Sequence, residues 1–180
     1  MANTREIVTK AVVGKGKKTF TTTKTVTPEC QPTTILGCWV INHTFRGYRS
    51  GNKINIEGSY DVNIWYSCSD DTKTEVVRET TNYLEGVNVP KQDDSDVTNE
   101  DIIIRSLKQP SCTRADIVNG KIEYTIQKEL GIEIVGDVKV KIAYDEEEDP
   151  WEVIMDVDSN EDIQNAEEQI DQEVNEEYLD

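Results

Sequence analysis

The residues able to do chemistry are few and scattered. His43 is the only histidine in 180 residues. An imidazole titrating near its ordinary value of about 6.5 can act as a base, a metal ligand or a proton switch. Catalysis needs an oriented partner and metal binding needs further ligands, and the sequence gathers neither around His43. A structural role is the expectation. Cys30, Cys38, Cys68 and Cys112 lie far apart with no CxxC pair, so zinc or thioredoxin-type chemistry lacks its spacing. Buried or half-buried free thiols are expected, with cross-linking between chains as the alternative in an oxidising setting. Lys15, Lys17 and Lys18 follow Gly14 and Gly16 but miss the GxxxxGK[ST] register of a phosphate cradle, which leaves a solvated turn. The carboxylates between Pro90 and Glu100 lack the EF-hand's Gly at its sixth position and Glu at its twelfth. No nucleophile elbow and no HExxH is present. The expectation is a protein with no catalytic residue, no cofactor and no metal site.

Charge divides the chain. From Asp145 to Asp180 there are 17 acidic residues and no Lys or Arg, which leaves 19 acidic residues against 19 basic ones in residues 1–144. This asymmetry predicts a body at 1–144 and an acidic tail at 145–180. Such a tail repels nucleic acid and anionic membranes and attracts basic proteins or cations. Trp151, Val153 and Met155 alternate with acids, and Ile170, Val174 and Tyr178 fall at helix-like spacing. So much like charge disfavours an isolated helix. A largely disordered tail is expected, binding partners through these six apolar anchors with its acids as steering charge. No run of eighteen apolar residues is present, so membrane insertion is not expected. The N-terminus lacks the apolar core of a signal peptide, which makes synthesis in the cytosol the default.

The elements that must position these residues are strands. Ile54, Ile56, Gly58, Tyr60, Val62, Ile64 and Tyr66 alternate with Asn55, Glu57, Ser59, Asp61, Asn63 and Trp65. A period of two with β-branched and aromatic residues predicts a strand with one apolar and one polar face. Trp65 is out of place on the polar face, and Gly58 in mid-strand predicts a close backbone approach or a bulge. Ile35–Phe45 is apolar on both faces at its centre, which predicts a strand covered on both sides. Gly47–Asn52 predicts the turn that pairs these two as an antiparallel hairpin. Thr74–Leu84 has two mixed faces, which suits an edge strand or a strand at an interface. Asn119-Gly120 is a two-residue hairpin turn signal. Residues 7–13 suit a helix or a strand equally. With Pro110 read as a stop and Gly131 and Gly136 as punctuation, the chain gives about eight strands and no long helix. The fold expected is all-β, an antiparallel β-sandwich or barrel-like domain.

Four segments carry a resemblance: Arg5-Glu-Ile-Val-Thr-Lys-Ala-Val-Val, Ile35-Leu-Gly-Cys-Trp-Val-Ile-Asn-His, Glu57-Gly-Ser-Tyr-Asp-Val-Asn-Ile-Trp-Tyr-Ser and Asp71-Thr-Lys-Thr-Glu-Val-Val. On these the chain resembles the outer spore-coat morphogenetic protein CotE family of endospore-forming bacteria. The likeness covers nearly the whole chain, less closely over residues 85–115, and in composition rather than order in the tail. The resemblance implies a non-enzymatic organiser made in the mother-cell cytoplasm during sporulation and deposited in the spore coat. It implies self-association as a homo-oligomer, attachment to an inner scaffold and recruitment of outer spore coat proteins. Trp39, Trp65 and Tyr66 are the expected self-association residues. The alternative is a small carbohydrate- or cell-wall-binding β-module, with Trp39, Trp65 or Tyr48 as a stacking platform. Fold class does not separate the two.

Overall fold

The computed structural model describes residues 3–91 and 97–144. The loop expected at residues 92–96 and the tail, including Trp151, Val153, Met155, Ile170, Val174 and Tyr178, lie outside the described residues. Glu6–Ile142 forms one compact unit.

Six long strands make two three-stranded sheets. In chain order they are β1 (Asn3–Val26), β2 (Pro32–Ser50), β3 (Lys53–Cys68), β4 (Lys73–Val87), β5 (Thr98–Val118) and β6 (Lys121–Tyr144). One sheet has the order β2-β3-β4 and the other β1-β6-β5. β3 pairs antiparallel with both β2 and β4, and β5 pairs antiparallel with β6. Contacts of Thr23 with Thr125, Thr19 with Glu129 and Lys15 with Glu133 run in opposite directions along β1 and β6. That pair is therefore antiparallel too.

The even-numbered apolar residues of β3 and β6 face each other between the sheets, in two clusters. One holds Ile54, Ile56, Leu130, Ile132 and Ile134 with Val13, Phe20 and Val87. The other holds Tyr60, Val62, Ile64, Tyr66, Ile122, Tyr124 and Ile126 with Cys68. Each such side chain contributes roughly 1.5–3 kcal/mol by leaving water. The sandwich expected from the period-two pattern is the fold observed.

Several local expectations change. Residues 7–13, left between helix and strand, are strand within β1. Among the described residues the strands number six, because Gly14, Gly16, Pro110, Gly131 and Gly136 lie inside long strands. Pro110 is tolerated because β5 is an edge strand and the register shifts between Lys108 and Ser111, where no ladder bond is lost. β2 is not covered on both sides: it is an edge strand, with Trp39 and Ile41 exposed on its outer face. Its apolar outer residues had looked like a second buried face. The cysteines are not all free, for Cys30 and Cys68 form a disulfide, leaving Cys38 and Cys112 as thiols. The Asn119-Gly120 turn holds, with both residues at positive φ (52° and 74°) as such hairpins require. β4 is an edge strand, as its mixed faces allow.

Candidate interaction face and interior polar cluster

The outer face of β2-β3-β4 is built in cross-strand rows. From one end these are Gly37–Trp65–Val76, Trp39–Asn63–Arg78, Ile41–Asp61–Thr80, Thr44–Ser59–Asn82 and Arg46–Glu57–Leu84. Trp39 is 55% exposed and Trp65 41%, in adjacent rows. The Trp39 indole lies across Gly37, the residue paired with Trp65. Leu36, Ile41 and Leu84 are exposed as well. The two indoles with Ile41 in the next row form an apolar patch of the kind that marks a contact surface, whereas Leu84 lies apart, beyond the polar row Thr44–Ser59–Asn82. Tyr66, in contrast, points inward and is buried at 3% exposure. The structure thus brings Trp39 and Trp65 together and sets Tyr66 apart from them.

Polar side chains of the middle rows pair with one another. Asp61 accepts hydrogen bonds from Asn42 Nδ2 at 2.8 Å and from Thr80 Oγ1 at 2.7 Å, which hold its carboxyl below the usual range. Asn42 sits at φ 57° in the register shift between Ile41 and Thr44. A shallow concavity of about 610 Å³ lies along Thr44, Arg46, Glu57, Ser59, Asn82 and Leu84. The outer face of the other sheet differs: Thr19, Thr23, Thr125, Glu129, Glu133, Lys15 and Arg105 pair among themselves. Among the described residues the exposed aromatic side chains belong to one sheet only.

A second constellation lies inside. Lys128 points into the sandwich with its side chain 2% exposed. Its ammonium lies 3.6 Å from Glu85 Oε1, over the Tyr83 ring at 3.9 Å and the Phe20 ring at 4.9 Å. Burial lowers its pKa, and Glu85 opposes that shift. Tyr83 crosses the inner side of Gly58, its partner in the ladder, and its hydroxyl lies 2.7 Å from His43 Nε2. His43 Nδ1 lies 3.4 Å from Gln109 Oε1. A neutral ring satisfies both contacts, donating from Nδ1 to Gln109 and accepting from the Tyr83 hydroxyl at Nε2. The Tyr83 phenol is pushed up to about 12 by burial, then by Tyr60 and Glu85. Both ring nitrogens of His43 thus have partners, one from β5 and one from β4. The sequence reading missed Lys128, although a signal was there: it is the one charged residue in the inward register Ile122, Tyr124, Ile126, Lys128, Leu130, Ile132, Ile134.

Burial lowers the His43 pKa, and the Lys128 charge adds to the effect. A depressed histidine pKa means that the folded chain resists a proton which the unfolded chain accepts. Stability is therefore fully present above the ordinary histidine value of about 6.5 and falls as the pH drops through it. Urea midpoints taken between about pH 7.5 and 5 should decline, and the His43→Gln variant should flatten that part of the profile. An unchanged slope in the variant would remove His43 as the cause.

Among the described residues no group of three or more His, Cys, Asp or Glu could hold a metal ion. The fold and this face define a protein class: an all-β, two-sheet sandwich with one aromatic outer surface. The particular family follows from comparison with known proteins. The chain matches the family described as outer spore coat protein E (CotE) over residues 3–178, and it belongs to that family. It is a spore coat protein. No curated protein and no solved structure matches it.

Proposed function

We propose that the protein self-assembles through the outer face of β2-β3-β4 and that residues 145–180 recruit other coat proteins. The observation that supports this most is the exposure of Trp39 and Trp65 side by side. Buried aromatic anchors dominate the energy of protein contacts, and these two half-exposed indoles leave much of their surface free for such burial. The acidic tail complements basic partners and steers their approach. On this reading the chain assembles in the mother-cell cytoplasm and is then deposited in the coat, between an inner scaffold and the outer proteins it recruits.

The test is the mass in solution across a concentration range. Wild type should form large, reversible multimers. The Trp39→Ser, Trp65→Ser double variant should weaken association by on the order of 100-fold, as loss of two aromatic anchors does. The chain without residues 145–180 should still assemble. Multimers that ignore the tryptophans and vanish with the tail would move assembly to the tail. A strict monomer whose tryptophan fluorescence responds to a glycan panel would instead favour a carbohydrate-binding module.

A further inference from the structure

We propose that Cys38 and Cys112 are a dithiol site for two-electron oxidants of the disulfide class, closing to a second intramolecular disulfide that bolts one sheet to the other. The two sheets share no backbone ladder, and β2 and β5 are the edges that run side by side. Their contacts progress in opposite directions along the two strands. Arg49 Nε meets Glu100 Oε2 at 2.6 Å, a side chain added at Gly47 would strike Ile104, and His43 Nδ1 meets Gln109 Oε1 at 3.4 Å. That antiparallel run carries the start of β2 toward the stretch of β5 that holds Cys112.

Burial agrees with the register. In their own ladders Cys38 pairs with Ile64 and Cys112 with Ile126, both inward-facing core residues. Both thiols are partly buried against the same cluster, from the two opposite sheets. The two thiols lie near enough for Cys112 to perturb Cys38, and Cys112 Sγ donates to the Arg114 carbonyl oxygen at 3.2 Å. Burial and the neighbouring Cys112 hold Cys38 protonated, which leaves the first attack to Cys112.

With a small disulfide RSSR the step balances as follows. The Cys112 thiolate attacks one sulfur of RSSR, an S–S bond breaks, and RS⁻ leaves with the first proton. Cys38 then attacks the Cys112 sulfur of the mixed disulfide, expels the second RS⁻, and its proton goes to that leaving group. The protein loses two electrons and two protons, and the oxidant becomes two RSH. The Cys30–Cys68 bond takes no part, since it already joins the β1–β2 connection to the end of β3.

The probe is oxidised glutathione acting on the folded, full-length protein, read by intact mass, thiol titration and peptide mapping. Wild type should go from two titratable thiols to none, lose about 2 Da and remain without a glutathione adduct. Mapping should recover Cys38 linked to Cys112. The Cys38→Ser variant should stop at the mixed disulfide on Cys112, which shows that Cys112 is reachable and that Cys38 resolves it. A glutathione adduct that persists in wild type, a disulfide between two chains, or thiols that stay free under conditions that modify Cys112 in the Cys38→Ser variant would each overturn the proposal.

Discussion

Replacing Gly58 by alanine is expected to lower stability by about 2–4 kcal/mol, as overpacking combined with a lost buried hydrogen bond does. The reason is a single close approach. An added Cβ would strike the Thr44 carbonyl oxygen of β2 and the hydroxyl end of the Tyr83 ring from β4. The carbonyl is backbone held in the ladder and cannot step aside. The ring can move only by giving up the 2.7 Å contact with His43 Nε2 and the place beneath Lys128. Both are inside the sandwich, where an unsatisfied group costs more than its bond contributes. In urea, the midpoint should fall with the slope unchanged. Tyr83→Leu in the Gly58→Ala background should cost less than the two changes added together, because the ring is part of what the methyl group strikes. Simple additivity would place the strain at Thr44 alone, and a neutral Gly58→Ala would sink this account of the interior cluster.

Reducing the Cys30–Cys68 bond is expected to cost about 4 kcal/mol, from the loop-closure entropy of a cross-link between residues 38 apart in sequence. Cys68 is fully buried at the end of β3, and Cys30 lies in the connection between β1 and β2. The bond thus ties the passage from one sheet to the other onto the central strand of the second sheet. Chemical denaturation with and without a reductant tests it. The wild-type midpoint should drop on reduction, whereas a Cys30→Ser, Cys68→Ala variant should start low and not respond. A wild-type midpoint indifferent to reductant would contradict a stabilising bond at this position.

The sheet architecture was legible because alternation is a local property. Ile54 to Tyr66 writes its inward face every second residue, and that face is buried as expected. Asn119-Gly120 fixes its turn by backbone conformation alone. The mixed faces of Thr74–Leu84 belong to an edge strand. Punctuation was less informative. Pro110 and Gly131 looked like ends, but a proline is harmless at a bulge in an edge strand, and a glycine stops no strand whose neighbours pay for it in packing.

The sequence by itself determined an all-β body with a central amphipathic strand, the family likeness, and the concentration of charge beyond Tyr144. Only the tertiary structure decided which apolar residues face water and which cysteines meet. Trp39 and Tyr66 look equally buriable in sequence, yet one lies on the open side of an edge strand and the other between the sheets. Cys30 meets Cys68 because the pairing of β2 with β3 sets Pro32 opposite Cys68, and Cys38 comes near Cys112 because the two sheets are stacked. Periodicity names the two faces of a strand. Which face is covered, and by what, depends on the partner sheet, and no local pattern encodes that.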